Sequence, residues 1–163
     1  MDNIILIGMP GCGKSTCGVL AAKQLCKSFI DTDLLIQEHE HLKLQDIINQ
    51  KGSEHFAHCE EEIITGLYAK NCVIATGGSV VYSKAAMRHL KSIGTVIYLK
   101  ISYKSMKNRI RNPKTRGILL KDGETLRDMY EERRALYEQY ADITIECDRN
   151  TIAATVEAII DRI

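Results

Sequence analysis

Eight residues near the start of the chain, Gly8-Met9-Pro10-Gly11-Cys12-Gly13-Lys14-Ser15, carry its densest chemical signal. They fit the pattern Gly-x-x-x-x-Gly-Lys-[Ser/Thr]. Glycines at this spacing let successive backbone N–H groups turn inward as an anion nest, and a helix opening near Lys14 would add the positive end of its dipole. A triphosphate is the matching ligand. Lys14 can bridge its β- and γ-phosphates as a point charge, the Ser15 hydroxyl is placed to coordinate Mg²⁺, and Thr16 can assist at the α-phosphate. Gly11, Cys12 and Gly13 complete the nucleotide-binding loop. Backbone donors and Lys14 beside Cys12 would favour its thiolate, so this thiol is expected to be the oxidisable one of the six.

Four further segments form a series with that loop. They are Phe29-Ile30-Asp31-Thr32-Asp33, Ile74-Ala75-Thr76-Gly77-Gly78-Ser79, Arg109 with Arg116 seven residues on, and Arg133-Arg134-Ala135-Leu136-Tyr137 followed by Ala141-Asp142. Taken with the loop, they resemble the landmarks of the shikimate kinases, a branch of the nucleoside-monophosphate-kinase-like P-loop proteins, over nearly the whole chain. The resemblance implies ATP as co-substrate, with Mg²⁺, and transfer of the γ-phosphoryl group to a hydroxyl of a small metabolite. It gives Asp31 to the metal through water and Asp33 to the accepting hydroxyl. It gives Gly77, Gly78 and Ser79 to the glycine triplet of the substrate pocket, Arg109 to the adenine ring, Arg116 to the transferring phosphates and Arg133 to the substrate carboxylate. Lys14, Asp33 and Arg116 are then the catalytic set, in keeping with phosphoryl transfer as positioning plus electrostatic stabilisation. Asp33 has a structural rival role as a helix N-cap.

The sequence departs from this pattern at three places. Ser79 stands at the third glycine of the triplet, Gly117-Ile118-Leu119-Leu120 only loosely resembles Pro-Leu-Leu, and Phe56-Ala57-His58-Cys59-Glu60 has alanine where Phe-Arg-x-x-Glu has a second carboxylate-binding arginine. Losing one charge-assisted arginine–carboxylate contact costs on the order of 1.5–3 kcal/mol. Either His55, His58, Lys121 or Arg134 compensates, or the acceptor is another hydroxylated metabolite. A nucleotide-dependent binding or regulatory protein without phosphotransfer is the third reading, disfavoured because a pure binding module has no need of the catalytic set.

The elements that must position these residues follow from hydrophobic patterning. Ile4 to Ile7 is a continuous apolar run suited to a parallel strand buried on both faces. Further strands are predicted at Phe29-Ile30, Cys72–Ala75, Thr95–Leu99 and Ile143–Cys147, with crossover helices between them. The fold class is therefore α/β, a three-layer α/β/α P-loop kinase with a five-stranded parallel sheet. Gly18, Ala21, Ala22, Leu25 and Phe29 keep a helical rhythm after the loop, and Ile152, Val156, Ile159, Ile160 and Ile163 form a stripe on a closing helix. Residues of about 32–62 read as a helical substrate-binding segment and those of about 112–123 as a mobile lid.

At 163 residues the chain suits one domain, 1–163. With 22 basic and 21 acidic side chains it has no excess charge to attract nucleic acid or a membrane surface, and no apolar run approaches a bilayer span. The six cysteines lack CxxC pairing and read as reduced thiols, so a cytoplasmic, monomeric enzyme is expected. His55, His58 and Cys59 fall short of the four ligands of a structural zinc site. His39 and His41 read as solvated surface, and Tyr68, Tyr98, Tyr130, Tyr137 and Tyr140 as core or interface.

Overall fold

Five strands run parallel in one sheet, and their shared direction determines where everything else can act. The computed structural model describes residues 3–110 and 118–163. The strands are β1 (Asn3–Ile7), β2 (Ser28–Asp31), β3 (Cys72–Ala75), β4 (Gly94–Lys100) and β5 (Ile143–Glu146), in the order β2-β3-β1-β4-β5. β1 lies at the centre, with Leu6 level with Ala75 on one side and with Ile97 on the other. All five of its residues are buried, as a strand covered on both faces requires. The sheet order reverses beside β1, so the crevice at the carboxyl ends of β1, β2 and β3 is where an α/β sheet of this kind places ligands.

Eight helices surround the sheet among the described residues: α1 (Lys14–Gln24), α2 (Thr32–Glu40), α3 (Leu44–Lys51), α4 (Ser53–Thr65), α5 (Lys84–Ile93), α6 (Tyr103–Arg109), α7 (Leu126–Tyr140) and α8 (Ile152–Ile160). α1 packs on α8, and α5 and α7 pack against β4 and a short 3₁₀ turn at Val80–Tyr82. Gly18 of α1 is required by close approach, because a Cβ there would sit 2.7 Å from the Phe29 ring. Helices α2, α3 and α4 form a satellite unit with its own small core of Ile36, Ile47, Phe56 and Cys59, joined by Leu119 from the lid segment.

Two expectations need correction. On the closing helix, Val156 and Ile159 are buried but Ile152 and Ile163 are about half exposed, because the buried stripe runs through Thr155 instead. Tyr98, Tyr130 and Tyr137 are core, whereas Tyr68 lies on the surface at 86% exposure. His39 and His41 are exposed, as expected for solvated surface, and His39 lies at the end of α2 with Glu40, close to Cys59 of α4. Glu40 is ion-paired to Lys51 and hydrogen-bonded to His55 at 3.0 Å, which holds its carboxyl down near 2. This cluster ties α2, α3 and α4 together as an ion-pair network. Among the described residues no helix is long and apolar enough to cross a membrane.

Candidate active site

One cleft of about 460 Å³ opens at the carboxyl edge of the sheet. The loop after β1 forms its floor, with Pro10, Gly11, Gly13, Lys14, Ser15 and Thr16 facing it. Gly11 and Gly13 have φ of 77° and 98°, left-handed values that turn the backbone donors inward and that glycine adopts without strain. Gly13 is also the N-cap of α1, so the helix opens directly behind the nest. Lys14 is 8% exposed, and its Nζ donates to the carbonyls of Gly8 (2.7 Å) and Met9 (3.0 Å). The ammonium is thereby held above the nest, where a phosphate oxygen could exchange for either carbonyl. Arg109, at the end of α6, reaches the same loop and donates to the Gly11 carbonyl at 3.4 Å. Cys12 is buried at 3%, beside Lys14 and beneath Gly8, which shelters it from oxidants and reverses the expectation of an open, reactive thiol.

The Asp-x-Asp segment divides two jobs between its two carboxylates. Asp31, not Asp33, is the N-cap of α2: its Oδ1 accepts from the Asp33 N–H at 3.0 Å. Its Oδ2 accepts from the Ser15 hydroxyl at 2.7 Å, so β2 and the phosphate loop are joined by two hard oxygen donors. Capping by Asp31 leaves the Asp33 side chain, one residue into the helix, free to face the cleft. Burial and then the neighbouring Asp31 charge raise its carboxyl to about 6, with Lys14 pulling the other way.

The far wall comes from residues distant in sequence. Thr76 anchors the turn after β3 by donating its hydroxyl to the Leu6 carbonyl at 3.0 Å. Gly77 and Gly78 follow, and both are needed for proximity. A Cβ on Gly77 would lie 2.7 Å from Glu60 Oε1 and 2.8 Å from Asp33 Oδ1, and one on Gly78 would meet Arg133 and Pro10. Arg133 of α7 is 1% exposed, donates from Nη2 to the Leu119 carbonyl at 2.8 Å, and lies with its guanidinium 5.4 Å from the Tyr82 ring. Tyr137, one turn on, fixes this wall by donating to the Gly78 carbonyl at 2.6 Å.

The structure thus brings Gly11, Gly13, Lys14, Ser15, Thr16, Asp33, Gly77, Gly78, Ser79 and Arg133 to one cleft, with Asp31 and Arg109 at its margin. Arg116 lies outside the described residues. None of the candidates to compensate for Ala57 is on the cleft wall: His55 is held by Glu40, Lys121 by Glu132, Arg134 by Glu131 and Glu138, and His58 is exposed. Sequence reading gave no role to Glu60. This residue of α4 is 3% exposed; its Oε2 accepts from the Ser79 hydroxyl at 2.8 Å, and burial raises its carboxyl to about 7 against the pull of that bond. Its place in the Phe-x-x-x-Glu run, a carboxylate one turn from the buried Phe56, was the available signal.

The shikimate kinase family profile matches residues 10–163. This chain belongs to the shikimate kinase family. The shikimate kinase of a Sulfurihydrogenibium species is 35% identical over all of this chain and 98% of its own length, and that of Haemophilus influenzae is 37% identical over 99% of this chain and 92% of its own. Among solved structures, shikimate kinase from Acinetobacter baumannii in complex with shikimate superposes with a TM-score of 0.88 at 28% identity, covering 99% of this chain and 92% of that one. The enzyme from Aquifex aeolicus gives 0.84 at 32% identity, covering 97% and 94%. Membership in the shikimate kinase family makes the chain a phosphotransferase with an alcohol acceptor and ATP as co-substrate, and sets aside the binding protein without phosphotransfer.

Proposed function

We propose that the protein transfers the γ-phosphoryl group of ATP to a hydroxyl of shikimate, giving shikimate 3-phosphate and ADP. The observation that carries this reading is the placing of Asp33, a carboxylate with a raised pKa, across one cleft from the Lys14 nest, in a chain of the shikimate kinase family. Lys14 neutralises the β- and γ-phosphates, the loop from Gly11 to Thr16 with Cys12 holds the triphosphate, and Arg109 lies against the adenine. Asp33 orients the acceptor hydroxyl and takes its proton, Gly77, Gly78 and Ser79 shape the acceptor site, and Arg133 faces the carboxylate. Arg116 is given to the transferring phosphates from sequence alone. Ser15 and Asp31 present an oxygen pair that fits a hard divalent cation, so Mg²⁺ would be held there. When bound, the cation supplies charge neutralisation at the β- and γ-oxygens.

The reading extends to residues 1–163 acting as one kinase domain, with the acceptor segment at about 32–62 and the lid at about 112–123. It extends also to a monomer in the cytoplasm, a setting that suits six unbridged thiols. Ala57 favours a second reading, in which the acceptor is a different hydroxylated metabolite: among the described residues only Lys14 and Arg133 bring positive charge to the cleft wall. An ADP-release assay separates the two. Turnover with shikimate supports the first reading, and ADP formed only with another small hydroxylated acceptor overturns it.

A further inference from the structure

Glu60 is a buried carboxylate with one oxygen accounted for and one not. Ser79 satisfies Oε2, while Oε1 has no hydrogen-bond partner among the described residues. An ionised carboxylate in that position would have one hydroxyl donor on Oε2 and none on Oε1, a buried charge incompletely compensated. The missing partner is not a cation from its own helix, since the residue one turn earlier is Ala57. Oε1 instead faces the backbone notch at Gly77, which Asp33 Oδ1 approaches from the other side. Two acceptor oxygens converge on one glycine with nothing between them but the space a side chain would fill. That arrangement is stable when one of the two carries a proton.

We propose that Glu60 works as the neutral acid, its Oε1–H directed across Gly77 to Asp33 Oδ1, and is the positioning residue that turns the other oxygen of Asp33 towards the acceptor hydroxyl. This rests on the phosphotransfer reading above and adds to it the residue that sets the catalytic carboxylate. The proton count balances simply: the hydroxyl's proton passes to Asp33 as the O–P bond forms, and the proton on Glu60 stays where it is. The charged and titratable groups acting on Glu60 are Asp33 from α2 and Arg133 from α7, with the Ser79 hydroxyl against Oε2. Those acting on Asp33 are Asp31 and, from α1, Lys14. The Asp33 charge opposes loss of the Glu60 proton, and burial acts in the same direction. Above neutrality the Glu60 proton leaves, and two like charges face each other across Gly77.

The test compares E60Q, whose amide can donate to Asp33 while accepting from Ser79, with E60A, which can do neither. In the wild type kcat falls on the alkaline side as Glu60 ionises. In E60Q that fall is abolished, and its kcat above pH 8 exceeds the wild-type value several-fold. E60A loses about tenfold in kcat at neutral pH with little change in KM for ATP, the size of loss expected when a general base is left mispositioned. Infrared difference spectra of the folded enzyme without substrate give a second readout. A protonated-carboxyl band is present in the wild type near pH 7, above the range where Asp33 holds a proton, and missing from E60Q. If E60Q is as damaged as E60A while folded, or if the band survives in E60Q, Glu60 does not hold the proton and the proposal is overturned. The band needs no turnover, so failure here is distinct from failure of shikimate to act as acceptor.

Discussion

The two ends of the cleft are built on different principles. The nucleotide end comes from one continuous stretch, Gly8 to Thr16, in which backbone N–H groups and a helix terminus supply most of the field and Lys14 supplies one charge. The acceptor end is assembled from α2, α4, the turn after β3 and α7, and its field comes from side chains: Asp33, Glu60, Ser79 and Arg133. A site made of backbone is specified by where glycine and a helix start fall, so it tolerates change around it. A site made of four distant side chains can lose one, as at position 57, and alter its balance of charge without disturbing the fold. The cleft therefore has a fixed phosphate end and an adjustable acceptor end.

The largest effect should come from the fixed end. Replacing Lys14 by Met removes the one side-chain cation that, among the described residues, lines the floor of the nest, and transition-state stabilisation by a preorganised donor is worth on the order of 10²–10³ in kcat. We expect a loss of that size in ADP release, with a folded protein by circular dichroism. A variant within a fewfold of wild type would show that the backbone alone carries the phosphates, and the contrast between the two ends would sharpen further.

A smaller effect is expected when the adjustable end is recharged. Ala57 is exposed on α4, three residues before Glu60, so an arginine there would lie on the same helical face, beside Phe56 at the cleft. A single charge-assisted contact to a carboxylate corresponds to about tenfold to a hundredfold in affinity. For A57R we expect KM for shikimate to fall by roughly tenfold, with KM for ATP unmoved. An unchanged or raised KM for shikimate, with harm to turnover of another acceptor, would mark the acceptor end as built for a different molecule.

The difference between the ends also explains what could be read beforehand. The five strands, their parallel order and the phosphate loop are local patterns: an unbroken apolar run, a glycine spacing, a lysine and a serine in fixed sequence. Asp31 and Asp33 were legible as a pair, but not their division of labour, because which one caps α2 depends on where the helix starts. Glu60 could not be given a role because its importance lies in Gly77 and Asp33, which reach it only through the fold. The exposed Ile152 fails for the same reason: periodicity tells which residues share a face, not what the face meets. Arg134, Lys121 and His55 could be nominated as spare cations because sequence does not show that acidic neighbours already hold them.

The smallest expected effect is thermodynamic and separates the acceptor end from the rest of the molecule. Glu60 titrates near 7 in the folded protein and near 4.5 when unfolded, so the native state binds its proton more tightly. Stability contributed by this group is therefore fully present below about 4.5, declines as pH rises towards 7, and is gone above it. Asp33, raised from 3.8 to about 6, declines in the same sense at slightly lower pH. Groups with lowered values, Glu40 among them, titrate below this window and contribute a constant amount across it. Unfolding by urea at pH 5 and pH 8 should show the wild type losing about 2 kcal/mol more than E60Q between those two conditions. Lys14 pulls the Asp33 carboxyl down, so K14M should steepen the slope through Asp33, whereas E60Q removes the Glu60 part alone. Equal slopes in wild type and E60Q would mean that Glu60 is already ionised at pH 5, and the acceptor end would then be an anionic site whose counter-charge must come from the substrate itself.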